Sequence, residues 1–294
     1  MTGSPESVAP SGLVVVDKDG AMTSHDVVAR VRRLLGTRKV GHAGTLDPMA
    51  TGVLALGVGR ATRLLGHLML TEKAYDATVR LGVTTTTDDA EGEVLATATT
   101  AGLDDATVRA AFAEQVGELA QVPTAVSAIK VDGKRAYQRV RDGEAVDLEA
   151  RAVTVHELAV HDVSAQEPGM VDVRISVRCS SGTYIRAIAR DVGAALGTGG
   201  HLTALRRTAV GPFDLSVARS LDDLGDVLPI AVAARATFPA LDLDEDQAGD
   251  VRVGRPLAIV LPDPHPVALF APDGEFLALY ERRGDRAVAT AVFA

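Results

Sequence analysis

The chain has no tryptophan, a single cysteine and an aromatic content of only 3%. One thiol, Cys179, cannot form an internal disulfide, so stability must come from burial and a reducing cytoplasm is the expected compartment. No apolar run approaches the roughly 20 residues of a membrane-spanning helix, and no membrane partner is expected. The first residues, MTGSPESVAPSG, lack a basic stretch leading into an apolar one, so residues 1–11 read as a floppy tail and not as a signal peptide.

Several sites are missing as well. HELAVH, from His156 to His161, has three residues after Glu157 where a zinc-protease helix has two, and histidines five apart share no helix face. DLDEDQAGD imitates a calcium loop until Gln247 stands where glycine is required and Val253 where glutamate is. GVGRAT lacks the third glycine of a dinucleotide loop and the Lys-Ser/Thr of a phosphate loop, and there is no Gly-x-Ser-x-Gly elbow. No metal site and no cofactor are expected.

Positive charge is short overall, with a net −9, yet unevenly placed. Residues 1–235 carry 25 Lys+Arg against 29 Asp+Glu, a balance of −4; residues 236–294 carry 5 against 10, a balance of −5. Arg30–Arg63 holds seven basic residues against Asp47 alone, Lys130–Arg141 five against Asp132, and Arg174–Arg207 six against Asp191. Phosphate binding follows local potential, so these stretches keep a nucleic-acid partner open beside the plainer reading of balanced solvated faces.

Periodicity supplies the elements. GLVVVD reads as a strand, Ser24 as a helix N-cap, and Val27, Val28, Val31, Leu34 and Leu35 as one helix face closed by Gly36. VLALGV reads as a buried strand, ATRLLGHLM as a short helix, AYDATVRLGVTT as a strand, DDAEGE as an acidic turn and Leu103–Val116 as a helix. Short strands broken by DGK, RDGE and HDV, with a helix near Ala136–Arg141, fill 122–160. MVDVRISVRC alternates cleanly and predicts a strand with one wet face, followed by the helix TYIRAIARDVGAAL, closed by Gly197. From Phe238 the pattern predicts a separate small β module.

One segment carries chemistry. VGHAGTLDPMATGVL, Val40–Leu54, sets a lone carboxylate, Asp47, between Leu46 and Pro48, and the proline restricts the backbone of Asp47. Glycines at 41, 44 and 52 let a ligand approach the main chain. A carboxylate held there serves as nucleophile, base or charge stabiliser, or merely closes a turn.

VGHAGTLDPMATGVLALGVGRATR resembles the catalytic motif of the TruB family, the tRNA pseudouridine-55 synthases. TSHDVV, KAYDATVRLG, VPTAVSAIKVDGKRAY, CSSGTYIRAIARDVG and HLTALRRTAVGPF follow in the family's order, so the resemblance covers about Gly12–Phe213. One departure is that Lys18, Asp19 and Gly20 stand where the family usually has Lys-Pro before a glycine. This departure is expected to loosen the turn and to touch no catalytic position.

The resemblance implies an α/β fold of the α+β type. A mixed, largely antiparallel sheet flanked by helices would span 12–237, with a small PUA-like RNA-binding module over 238–294. It implies isomerisation of a uridine in the tRNA T loop, with the base flipped out and without cofactor. Asp47 is then the essential carboxylate, Arg186 its cationic partner and Tyr75 the stacking aromatic. His42, Gly44, Tyr184, Lys130 and Leu205 fall in substrate-binding positions. Arg30, Arg33, Lys39, Arg63, Lys134, Arg135 and Arg206 are candidates for the RNA backbone. The expected partner is the tRNA T arm, met by a monomer without protein partners. Two other readings stand beside it: an RNA-folding chaperone, and a synthase with another RNA target.

Overall fold

The computed structural model describes residues 11–294 except 128, 132, 143, 145, 147, 167, 168 and 264. For Lys130, Val131, Arg135, Tyr137, Val140 and Arg141 it describes the backbone alone, so the side chains expected of Lys130 and Arg135 lie outside the described residues, as do residues 1–10 of the expected tail.

The chain begins with β1 (Gly12–Lys18), α1 (Ser24–Leu34), β2 (Val40–His42) and β3 (Thr51–Val58). A 3-10 turn over Gly59–Leu64 leads into α2 (Leu65–Met69) and then β4 (Lys73–Leu81), β5 (Val83–Thr85) and β6 (Val94–Thr97). Next come α3 (Asp105–Ala113), β7 (Gly117–Gln121), β8 (Lys130–Val131), β9 (Lys134–Arg135) and α4 (Ala136–Arg141). The long strands β10 (Arg151–Gln166) and β11 (Met170–Cys179) precede α5 (Ile185–Ala195), β12 (Gly200–Val210) and β13 (Phe213–Asp214). The remainder is β14 (Leu228–Pro229), α6 (Ile230–Thr237), β15 (Ala240–Asp242), α7 (Glu245–Arg252), β16 (Val267–Phe270), β17 (Phe276–Arg283) and β18 (Arg286–Val292).

Among the described residues the main sheet runs β14-β1-β3-β12-β4-β11-β10-β7, with β2 beside β3 and β13 beside β12. Its strand pairs are antiparallel except β3 with β12, which pair in parallel through Thr51↔Arg206 and Gly52↔Arg207. β1 is apolar from Gly12 to Val16 and β3 from Gly52 to Val58 because both faces are covered there. Val14, Val16, Leu54 and Leu56 join the helix-side core with Val27, Val31, Ile188 and Val192, whereas Leu13, Val15, Val53 and Ala55 enter a second core on the opposite face. β11 alternates as its sequence dictates, burying Val171, Val173, Ile175, Val177 and Cys179. No helix among the described residues is long and apolar enough to cross a membrane.

Two expectations need correction. Thr23, not Ser24, caps α1, through a capping box with Asp26, because Ser24 is turned inward and is 1% exposed. HDV does not break a strand: it lies inside the 16 residues of β10, where register shifts at Val155/Glu157 and Val160/Asp162 absorb the irregularity as bulges. Residues 238–294 do form their own sheet, β15-β16-β17-β18, with a core around Leu243, Val251, Leu277 and Tyr280. That module packs against the main sheet. Phe270, Phe276, Leu279 and Phe293 share the second core with β1, β3 and Leu68, so burying the far face of the main sheet welds the two parts together.

Candidate active site

Asp47 sits in the loop between β2 and β3, and four attachments fix that loop. The turn is closed by Ala50 N–H donating to the Asp47 carbonyl at 3.1 Å. Ser24 Oγ accepts from Leu46 N–H at 2.9 Å and donates to Leu46 C=O at 3.0 Å. Lys18, fully buried, donates through Nζ to the carbonyls of Asp19, Met22 and Pro48 at 2.9, 2.7 and 3.2 Å. Arg207, 1% exposed, donates to the carbonyls of Val53, Thr45 and Gly44 at 2.7, 3.2 and 3.3 Å. Such fixation confines Asp47 to one place, as a reacting carboxylate requires.

Two glycines of the segment serve different ends. Gly44, at φ +101°, lies on the cleft wall and adopts a conformation that side chains disfavour. Gly52, at φ +100°, admits no ligand; a Cβ there would stand 2.2 Å from the Arg207 carbonyl, so glycine is what lets β12 run beside β3.

Arg186 reaches Asp47 from the first turn of α5. Its Nε donates to Asp47 Oδ2 at 3.0 Å and its Nη2 to Oδ1 at 3.2 Å, a two-pronged grip. The same guanidinium donates to the carbonyls of Thr87 (2.9 Å) and Val126 (3.0 Å), and Asp89 Oδ2 lies 3.5 Å from Nη1. Asp89 is itself held by Thr87 Oγ1 and by Glu91 N–H at 3.0 Å. Arg186 is 4% exposed, while the Asp47 side chain keeps 30% of its surface open toward the cleft. One buried cation thus stands between a closed carboxylate and an open one. The entry to α5 has no side-chain cap; instead the Gln121 amide accepts from Tyr184 N–H at 2.8 Å and donates to Tyr184 C=O at 3.1 Å.

The cleft beside this pair measures about 260 Å³ and is lined by Asp47, Tyr75, Tyr184, Arg186, Leu205 and Arg207, with Gly44, Met69 and Lys73 among the others. Burial raises the Tyr75 hydroxyl above the ordinary tyrosine range, opposed by the nearby Arg207 charge. Tyr184 is raised by burial too. Burial lowers Lys18 to about 8, with Asp47 pulling the other way, and lowers Lys73 to about 8 with Arg207 assisting. Glu91 is raised, first by burial and then by Asp89 and Asp47. The arrangement can hold an uncharged planar ring against Tyr75 with a carboxylate at its edge.

Of the residues singled out in the sequence, Asp47, Tyr75, Arg186, Gly44, Tyr184 and Leu205 meet in this cleft. His42 stands outside its lining, on β2, edge-on to His25 with ring centroids 5.5 Å apart. Three of the basic residues are engaged within the protein. Arg30 pairs with Asp222 at 2.5 Å and Arg206 with Asp17 at 2.6 Å. Arg63 donates to the Val292 carbonyl at 2.6 Å and lies 5.7 Å from the Phe293 ring. Arg33, Lys39 and Lys134 are exposed and make no ion pair among the described residues. His156 and His161 go separate ways, to Glu72 and to Ser176.

Arg207, Asp89 and Gln121 are not among the residues singled out in the sequence, where Ser24 figures only as a helix cap. Lys18 Nζ also reaches the Pro48 carbonyl, next to Asp47. Strand alternation offered a signal for Arg207: in LRRT, Leu205 and Arg207 share a face and Arg206 takes the other.

Three family models match in series. The description "TruB family pseudouridylate synthase (N terminal domain)" covers residues 32–185, "tRNA pseudouridylate synthase B C-terminal domain" covers 186–240, and "tRNA Pseudouridine synthase II, C terminal" covers 238–294. A protein of Arthrobacter sp. (strain FB24) called tRNA pseudouridine synthase B is 55% identical over 97% of both chains. Its namesake in Nocardia farcinica is 58% identical over 94% of this chain and 91% of its own. Among solved structures, a Cbf5-Nop10-Gar1 complex contains a chain of like fold, with a TM-score of 0.73 and 24% identity over 96% of this chain and 85% of that one.

Proposed function

The chain belongs to the TruB family of pseudouridylate synthases, and on that premise we propose that it isomerises uridine 55 in the T loop of tRNA, flipping the base out and using Asp47 as the essential carboxylate. It is an RNA pseudouridine synthase, an isomerase. The reaction breaks the bond from uracil N1 to ribose C1′ and forms one from C5 to C1′; the proton lost from C5 is matched by one gained at N1. Nothing is oxidised, reduced or added.

The observation that carries the proposal is the two-pronged Asp47–Arg186 pair at 3.0 and 3.2 Å, open to a cleft walled by Tyr75. Attack at C1′, attack at C6 and removal of a sugar proton all require an ionised acid in a place poor in water. The guanidinium meets both oxygens of the Asp47 carboxylate, at 3.0 and 3.2 Å. A base inside a T-loop stack cannot reach a carboxylate recessed in this way, so the nucleotide must evert at a cost of a few kcal/mol. Stacking on Tyr75 returns about 1–3 kcal/mol and exposed cations on the backbone supply the remainder. The enzyme is read as cytoplasmic, monomeric and independent of guide RNA or helper proteins.

Tritium release from a T-arm transcript labelled at uridine C5 tests all of this with the purified chain. Wild type releases label from the bare transcript and Asp47→Asn releases none. Full release by Asp47→Asn removes the assigned role, and inactivity of the wild type without helper proteins removes independent action.

A further inference from the structure

We infer that Arg207 is a positioning residue that registers the Asp47 loop and Tyr75 against one another. The inference rests on the function proposed above and adds a residue to its machinery.

Arg207 lies where three cleft-forming segments meet. In β12 it pairs with Tyr75 of β4 on one side and with Gly52 of β3 on the other, at the main sheet's parallel step. Its guanidinium turns into the loop and takes the carbonyls of Gly44, Thr45 and Val53, which bracket Asp47 in the chain. The five donors of a planar guanidinium suit that fan, and neither an ammonium nor an apolar chain reproduces it. Among the described residues this buried charge makes no ion pair with a carboxylate; carbonyl dipoles answer it. An apolar side chain would fill such a site at less desolvation cost. What the arginine supplies is therefore geometry, together with a positive field felt by Tyr75, Lys73 and Lys18.

Gly52 completes the device. A Cβ on it would stand 2.2 Å from the Arg207 carbonyl oxygen, so only glycine leaves room for the Arg207 backbone, and the glycine and the arginine form one joint between β3 and β12. Arg206, the neighbouring candidate in the sequence, faces away and pairs with Asp17.

Single-turnover tritium release with enzyme in excess tests the inference, alongside filter binding of the same transcript, for Arg207→Met and Arg207→Lys. Displacing the loop by about 1 Å predicts a rate constant down about 10²-fold in Arg207→Met. Full amplitude is retained and Kd stays within about threefold of wild type. Arg207→Lys falls between the two. A mere folding defect leaves the rate constant at the wild-type value while folded enzyme still exceeds the transcript, and overturns the inference, as does a loss that follows Kd. Should Arg207→Met prove insoluble, Arg207→Lys decides alone: a slower rate constant at full amplitude supports the assignment and a wild-type rate ends it. An inactive wild type points instead to the proposed substrate, so the two failures are told apart.

Discussion

Replacing Ser24 by alanine separates the stability of α1 from the placement of Asp47. Ser24 Oγ serves both backbone groups of Leu46, 22 residues away, at 2.9 and 3.0 Å, and Ser24 is 1% exposed. Removing it leaves a buried N–H and a buried C=O unanswered, and an unsatisfied buried donor costs about 1–3 kcal/mol. Alanine returns a few tenths of a kcal/mol in helix propensity, so the net expectation is a loss of about 1–2 kcal/mol. Thr23→Ala makes the matched control, because it removes the capping box at about 1 kcal/mol and leaves the loop contact intact. Urea denaturation should therefore rank the two variants as near equals. Single-turnover tritium release should not: Ser24→Ala slows by about 10- to 100-fold because Leu46 precedes Asp47, and Thr23→Ala keeps the wild-type rate constant. Equal rates in the two variants, or wild-type stability in Ser24→Ala, would refute the reasoning.

Three further outcomes are expected. Lys18 is held at about 8 in the folded protein against 10.5 unfolded, so between those pH values the unfolded chain holds a proton that the folded one lacks, and this group's contribution to stability rises with pH. The slope is at most about 1.4 kcal/mol per pH unit, so the wild-type-minus-Lys18→Met difference in urea stability climbs from pH 8 to 10.5, and a flat difference contradicts the assignment. The Arg60→Ala/Arg63→Ala pair loses donors to the Phe293 and Val292 carbonyls at 2.8 and 2.6 Å. It should lose about 1–2 kcal/mol in thermal unfolding. Finally, a triple Arg33→Gln/Lys39→Gln/Lys134→Gln variant should shallow the log–log salt dependence of tRNA binding by about 2–3, while Arg63→Gln leaves the slope alone.

Elements whose two faces differ announce themselves by periodicity. β11 alternates because only one side of it enters the core that α3 and α5 also enter, and α1 shows Val27, Val28 and Val31 because one stripe packs into the same core. Irregularity was harder. HDV carries the marks of a turn, yet β11 supplies ten register partners that hold β10 straight through it, and local propensity yields to that pairing. Ser24 has the side chain of a cap but sits one residue too deep, where Leu46 recruits its hydroxyl. Sequence records composition and not contact, so it cannot show that Phe270, Phe276 and Phe293 close over strands more than 200 residues earlier.

The site divides along the same line. Asp47 was conspicuous as a carboxylate between Leu46 and Pro48, but Arg186 is 139 residues away and no spacing rule joins them; resemblance to a family did. Residues that hold the site lacked even that help. Lys18 ends an apolar strand and looks like the start of a turn, since lysine is seldom buried; only three convergent carbonyls make a fully enclosed ammonium tolerable. Arg207 depends on a parallel pairing of β3 with β12, a contact across 155 residues that hydrophobic pattern cannot encode. The chemistry proposed for this protein is therefore legible at the group that faces the cleft. The groups behind it stayed hidden because their role is to satisfy backbone carbonyls, which leave no trace in side-chain pattern.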